Sequence, residues 1–353
     1  MRTIQVPASR NYTVWVDGGL LSQAGIMIRA LCPDGIRVAV VTDSNVGPLF
    51  ADRLQEVLRA EGFVPSVFTF SAGEAAKSGE TYLALLEYLA QMRLTRSDVM
   101  VALGGGVTGD LTGFAAATYL RGIACVQIPT SLLAMVDSSV GGKTAINLKA
   151  GKNLAGVFYQ PSMVVCDVDV LRTLPQEDFA DGVAEIIKYG MLKSVALLDQ
   201  LMVRDLREDP TEVIAQCISI KRDVVERDEF DTGERQLLNL GHTIGHAIEG
   251  CSGYQISHGR AVAIGMAMIT RGAVKAGFCP STCLTRLEEL LARYNLPSHC
   301  GFTAEELLPF ALGDKKRSGD TLTLVIPTGI GVCKLHSIPV EELGQWIAWG
   351  LES

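Results

Sequence analysis

"VALGGGVTGDLTGF", residues 101–114, is the stretch whose reading decides the fold class. An apolar run meets three glycines and then a segment rich in small residues, which is the order strand, tight turn, helix start. Gly104, Gly106 and Gly109 fit G-x-G-x-x-G. In that pattern glycines let the backbone approach a pyrophosphate held at a helix N-terminus. The same glycines would serve equally well in a turn with close helix–sheet packing. The dinucleotide fingerprint also wants an acid about 20 residues on; here that region reads "IPTSLL". The motif comes late in its domain as well, so this is not the usual opening of a dinucleotide-binding unit.

Working outward, strands and helices alternate. "RVAVVTD" is a β-branched run, and Leu49, Phe50, Leu54, Val57 and Leu58 then recur at helical spacing. "SVFTF" and "ETYLALLEYLAQM", then "DVMVAL" and "GDLTGFAAATYL", repeat the alternation, and "ACVQIPT" and "SMVVCDV" add strands. This order predicts a parallel sheet covered on both faces, with ligands at the carboxyl ends of its strands. From about residue 173 the pattern turns helical, in "DGVAEIIKYGMLKS", "PTEVIAQCISIKRDVVERDE", "ERQLLNLGHTIGHAIEG" and "GRAVAIGMAMITRGAVKAG". A β pair, "TLTLVIP" and "GVCKLH", interrupts it through Thr328-Gly329. The expected organisation is an α/β domain over residues 1–172, a mainly helical domain over 173–353 and an active site in the cleft between them.

The bulk numbers exclude several function classes. With 39 acids against 31 bases the net charge is −8, which disfavours nucleic acid and anionic membrane as partners. The N-terminus lacks the apolar core of a secretory signal. The longest apolar run, "AVAIGMAMIT", falls far short of the ~20 residues that span a bilayer. Nine cysteines are scattered without a framework spacing; the closest pair is Cys279 and Cys283 in "CPSTC". Unpaired, partly buried thiols in a reducing compartment are expected, and cytoplasm is the simplest location.

Three further groups carry chemistry. Asp43 ends the first α/β strand, where an acid can hold a ribose hydroxyl or, with Ser44, cap the next helix. "VDSSVGGKTAINLKAGKNLAGVFYQP" contains Asp137, Lys143, Lys152 and Asn153. Its "GGKT" is not a P-loop, because Asp137 stands where the first glycine belongs. Lys143 suits a phosphate, or is a solvated loop lysine. His242 and His246 share a helix face, but Thr243 occupies the place a zinc protease gives to glutamate. His258 opens another helix, and Glu185 and Lys188 lie three apart. A carboxylate with two imidazoles is a common catalytic zinc set. Spacing alone lets the histidines pair with several acids, or sit solvated on helix surfaces.

Taken together, "GGGVTGDLTGFAAATYLRG", "IPTSLLAMVDSSVGGKTAIN", "GKNLAGVFYQP", "GVAEIIKYG", "LNLGHTIGHAIE", "HGRAVAIGM" and "DKK" resemble the 3-dehydroquinate synthases, sugar-phosphate cyclases of the shikimate pathway. The segments run in family order from about residue 72 to 317. The resemblance implies Glu185, His242 and His258 as ligands of a divalent metal, Zn2+ or Co2+, with His246 facing the substrate. It implies that Asp137, Lys143, Asn153, Lys188, Lys221, Arg235, Asn239 and Lys315, in preference to Lys316, contact an anionic heptulosonate phosphate. For NAD it implies Asp43, Asn45, Glu74, Lys77, Gly105, Gly106, Asp110, Thr130, Ser131 and Lys152, with Lys143 alongside. Arg121 would reach a neighbouring subunit's site, which implies a homodimer. The implied reaction is oxidation, phosphate elimination, reduction, ring opening and aldol closure, with NAD restored each turnover. Ser131 stands where a second threonine is common, and Arg260 where a glutamate beside His258 is frequent. Related cyclases such as 2-deoxy-scyllo-inosose synthase, metal-dependent alcohol dehydrogenases and a non-catalytic metabolite binder are the competing readings.

Overall fold

A computed structural model describes residues 1–313, 317, 318 and 320–352. In chain order the elements are β1 (Arg2–Val6), β2 (Tyr12–Asp17), α1 (Ala24–Leu31), β3 (Arg37–Asp43), α2 (Gly47–Ala60), β4 (Val64–Phe70), α3 (Gly79–Gln91), β5 (Val99–Gly104), α4 (Gly106–Thr118), β6 (Ala124–Pro129), β7 (Lys143–Leu148), β8 (Gly151–Phe158) and β9 (Met163–Asp167). They continue with α5 (Gln176–Lys193), α6 (Val195–Val203), α7 (Thr211–Arg227), α8 (His242–Cys251), α9 (His258–Lys275), α10 (Ser281–Arg293), α11 (Ala304–Leu312), β10 (Arg317–Ser318), β11 (Thr321–Gly329), β12 (Val332–Pro339) and α12 (Leu343–Leu351).

The chain divides into two compact units. The first holds Met1–Leu174 and Asp209–Phe230. Its sheet runs β1-β2-β9-β6-β5-β3-β4, parallel throughout except for the antiparallel β1–β2 pair. The β-branched runs read from sequence are these strands, and alternation within them feeds two cores. Val38, Val40, Val99 and Val101 pack with Ile28, Leu54 and Leu58 on one face. Ala39, Val41 and Met100 pack with Leu85, Leu89, Leu111 and Ala115 on the other.

Helix α7, which periodicity groups with the later helices, is part of this first unit and packs on β1, β2 and the turn at 134–138. A 3.6-residue period shows that a helix has an apolar face, not which core receives it. The stretch that carries Lys143, Lys152 and Asn153 is a hairpin and not an open loop, with β7 and β8 paired antiparallel.

The second unit is mainly helical and adds the sheet β10-β11-β12. Two details differ from the sequence reading. Gly329 pairs with Val332, so the hairpin turns at Ile330-Gly331, with Gly331 at φ +78°, and not at Thr328-Gly329. The stretch 234–250 is not one helix either. A 3₁₀ turn over Glu234–Asn239 ends before Gly241, which sits at φ +79°, and α8 starts at His242. A side chain at Gly241 would meet the Met266 amide and the Val262 carbonyl at under 3 Å, so the break is fixed by packing against α9. No helix among the described residues is long and apolar enough to cross a membrane. All nine cysteines are free, six of them buried.

Candidate metal centre and anion-binding loops

Three elements of the second unit converge on one carboxylate. Glu185, in the middle of α5, is fully buried. Its Oε1 lies 3.7 Å from His242 Nε2, at the start of α8, and 3.6 Å from His258 Nε2, at the start of α9. One donor atom from each of the three falls within a common 4.8 Å. The outer nitrogens show which way the imidazoles face. His242 Nδ1 lies 3.1 Å from the Leu240 carbonyl, and His258 Nδ1 lies 3.2 Å from Glu249 Oε2. Both partners only accept, so each Nδ1 carries a proton and Nε2 is the nitrogen that each ring aims at Glu185. Neither Glu185 oxygen makes a well-formed hydrogen bond, although the Lys188 ammonium touches Oε2.

A buried carboxylate short of hydrogen bonds, faced by two imidazole Nε2 atoms that each offer a lone pair once deprotonated, fits a divalent cation. Four ligands at about 2.1 Å in tetrahedral array stand about 3.4 Å apart, close to the separations seen. His246, one turn along α8, is exposed, and its ring centroid lies 5.4 Å from that of His242 and 6.0 Å from that of His258.

Burial alone would lower the His258 pKa. Glu185 and Glu249 on either side outweigh it and hold the imidazole up at about 10. The pair therefore stabilises the metal-free fold fully below the ordinary value of 6.5, and this contribution is lost as pH rises through about 10. Loading a divalent cation at neutral pH is expected to expel that proton. Calorimetric titration in two buffers of different ionisation heat measures the release; equal heats in both would contradict the charged imidazole.

Around it, Asp181 lies one turn before Glu185 and accepts from Ser257 Oγ at 2.7 Å and from the Arg260 amide at 3.2 Å. Burial pushes the Asp181 carboxyl above its usual range. Arg235 and Lys188 are both buried. Asn239 is half-buried before the Gly241 break and donates to the Gln236 carbonyl at 3.0 Å. Lys315 lies outside the described residues.

In the first unit, the carboxyl ends of four parallel strands carry the second set. Asp43 ends β3, Glu74 follows β4, Gly105 and Gly106 follow β5, and Thr130 and Ser131 follow β6. No side chain caps the N-terminus of α4. A Cβ at Gly106 would stand 3.1 Å from Ser138 Oγ, so the glycine leaves the space between the start of α4 and Ser138 clear. Gly104 and Gly109 do the other job: a Cβ there would strike Thr108 and Gln127 at 2.3 and 2.7 Å. Asp43 Oδ1 accepts the amides of Asn45 and Val46 at 2.8 and 3.0 Å, so it shapes its own turn.

Lys77 is buried, touches Asp110 and donates to Asn153 Oδ1 at 2.6 Å. Burial pushes the Asp110 carboxyl upward, against the pull of Lys77. Asn153 is held at φ +53°. Lys152 lies 4.0 Å from Glu74. Lys221, from α7, is buried against Asp137 and donates to its carbonyl at 2.7 Å. Asp137 sits in a π-helical turn, a form often found at functional sites. Lys143 and Arg121 are exposed, Arg121 at φ +68°.

Sequence reasoning passed over three residues. Glu249 continues the His242–His246 face at i+7, a spacing that signals it. Asn147, inside the quoted "KTAIN", donates to Glu74 Oε1 at 2.7 Å and accepts the Asn153 amide at 2.9 Å. Asp181 precedes Glu185 by one turn of α5. Asn147 ties Glu74 to Asn153, Glu249 meets His258, and Asp181 holds the Ser257–Arg260 turn.

The sequence matches the description 3-dehydroquinate synthase N-terminal over residues 67–181 and 3-dehydroquinate synthase C-terminal over residues 182–317. It is 42% identical to a 3-dehydroquinate synthase of Streptococcus suis, an alignment covering 98% of this chain and 99% of that one. Among solved structures, it is similar to 2-deoxy-scyllo-inosose synthase complexed with carbaglucose-6-phosphate, NAD+ and Co2+, with a TM-score of 0.89, 26% identity and coverage of 99% and 100%. It is also similar to 2-epi-5-epi-valiolone synthase from Streptomyces hygroscopicus subsp. jinggangensis with NAD+ and Zn2+ bound, at a TM-score of 0.87, 25% identity and 95% coverage of both chains. Two adjoining family matches and 42% identity along nearly the whole length make this chain a member of the 3-dehydroquinate synthase family.

Proposed function

We infer that this chain converts 3-deoxy-D-arabino-heptulosonate 7-phosphate to 3-dehydroquinate and phosphate, as an NAD- and divalent-metal-dependent lyase. The observation that carries the reading is the buried Glu185 carboxylate with His242 and His258 turned toward it, in a chain of this family. A divalent metal there, zinc or cobalt, supplies Lewis-acid polarisation of a secondary alcohol, and NAD supplies a reversible hydride acceptor. The neighbours' bound NAD+ with Co2+ or Zn2+ support both.

The chain's own residues then divide the work. Glu185, His242 and His258 hold the metal. Asp43, Asn45, Glu74, Lys77, Gly105, Gly106, Asp110, Thr130, Ser131 and Lys152 bind the dinucleotide, whose pyrophosphate suits the uncapped start of α4. Lys143, Arg235 and Lys315 neutralise the phosphate and Asn153 hydrogen-bonds to it, where charge-assisted hydrogen bonds are strongest. Asp137, Lys188, Lys221 and Asn239 orient the sugar hydroxyls and carboxylate. His246, the exposed imidazole of α8, exchanges protons with bound hydroxyls or water. The reading extends to a cytoplasmic homodimer in which Arg121 serves the neighbouring site; free thiols and an exposed Arg121 support those two parts.

The test is phosphate release from the heptulosonate phosphate with catalytic NAD. Release without net NADH, abolished by a chelator and yielding a carbocycle, is expected. NADH accumulating in step with substrate would make the protein a dehydrogenase, and turnover of glucose 6-phosphate instead would make it an inosose-type cyclase.

A further inference from the structure

Glu249 is a carboxylate buried to 3% exposure in the second unit. Burying an ionised carboxylate is unfavourable unless it is paired, so its position calls for a partner. Its side chain lies 3.2 Å from His258 Nδ1. It shares the α8 face with His242 and His246, whereas His258 belongs to α9. The contact thus runs from the helix that carries one imidazole of the centre to the helix that carries another. The outer partners of the two inward-facing histidines differ in kind. His242 rests on the neutral carbonyl of Leu240, at 3.1 Å, and His258 on a charged carboxylate.

We propose that Glu249 is the positioning residue for His258: its carboxylate fixes the imidazole with Nε2 toward Glu185 and makes His258 the more strongly donating of the two histidines. A carboxylate accepting the outer N–H of an imidazole fixes its tautomer and ring plane and raises its basicity. The inference rests on the metal reading of this site. His246, Glu249 and His258 also bring donor atoms within 4.8 Å of one another, so Glu249 as a direct ligand is the alternative that the test must separate.

The experiment uses the full-length protein, Glu249→Gln, Glu249→Ala and His242→Ala. Zinc affinity is measured by competition with a chromophoric chelator, and the coordination by the visible spectrum of the cobalt-loaded form. Glu249→Gln keeps the size and an acceptor oxygen and removes the charge. It is expected to weaken zinc about 10-fold, and Glu249→Ala up to about 100-fold. Both should keep the wild-type cobalt spectrum and, once saturated with metal, most of the wild-type KM. Zinc affinity unchanged in both variants would overturn the proposal. So would a Glu249→Gln that loses metal as completely as His242→Ala, or that changes the cobalt spectrum, since Glu249 would then be a ligand. A wild-type protein that binds neither zinc nor cobalt would instead overturn the metal reading, and this inference with it.

Discussion

Replacing His242 by alanine is expected to strip the divalent metal and lower turnover by a factor of about 10³ or more, while replacing His246 by alanine leaves the metal in place. The two imidazoles are one helical turn apart and look equivalent in sequence. Their surroundings are not. His242 is buried, its Nδ1 is fixed by a carbonyl, and its Nε2 lies 3.7 Å from Glu185. His246 is exposed beside them. Removing His242 leaves a fully buried carboxylate with one imidazole and the Lys188 ammonium, too few donors for a tight site. A loss of 10³ corresponds to about 4 kcal/mol of transition-state stabilisation. His246→Ala removes a proton carrier instead, worth about 10²–10⁴ in rate. Metal content per chain after dialysis, set beside kcat, separates the two. Metal loss in His246→Ala equal to that in His242→Ala would sink the division of labour.

Much of this was legible in the residues. The strands of the first sheet announce themselves because β-branched side chains line both of its faces, and their alternation is visible in "RVAVVTD". The β7–β8 hairpin did not, because Gly, Lys, Asn and Ala, which have little strand preference, make up more than half of it. Nor did the break before α8. In the sequence Gly241 is one more small residue in a helical period; only the close passage of α9 demands its positive φ. At the centre, residue types and spacing left the partners of the histidines open. Family resemblance picked Glu185 from 57 residues upstream of His242, and the fold brings those atoms together. What neither route supplied is the outer layer. Glu249, Asp181 and Asn147 act through other side chains, and their roles depend on which helices happen to touch.

Gly259→Ala is expected to damage the same centre without altering any metal-binding group. Helix α9 starts at His258, and the next residue passes so close to α5 that a Cβ would fall 2.3 Å from the Asp181 Cα and 2.4 Å from its carbonyl oxygen. Backbone cannot yield as a side-chain tip can, so the two helices must part. Asp181 then loses its hold on Ser257 and on the Arg260 amide, which together seat the start of α9. His258 moves with that turn, away from Glu185. Inside a helix, glycine to alanine should by itself stabilise by up to about 1 kcal/mol. Overpacking of this kind costs about 1–3 kcal/mol, so the sign is expected to reverse. Gly344→Ala in α12, where a Cβ would make an ordinary 3.7 Å contact with Leu308, serves as the control and should be neutral or stabilising. Thermal unfolding and zinc affinity, measured on both variants, give the answer. A Gly259→Ala protein that melts no lower than Gly344→Ala and binds zinc as the wild type does would show that close α5–α9 contact is not what holds His258 in register.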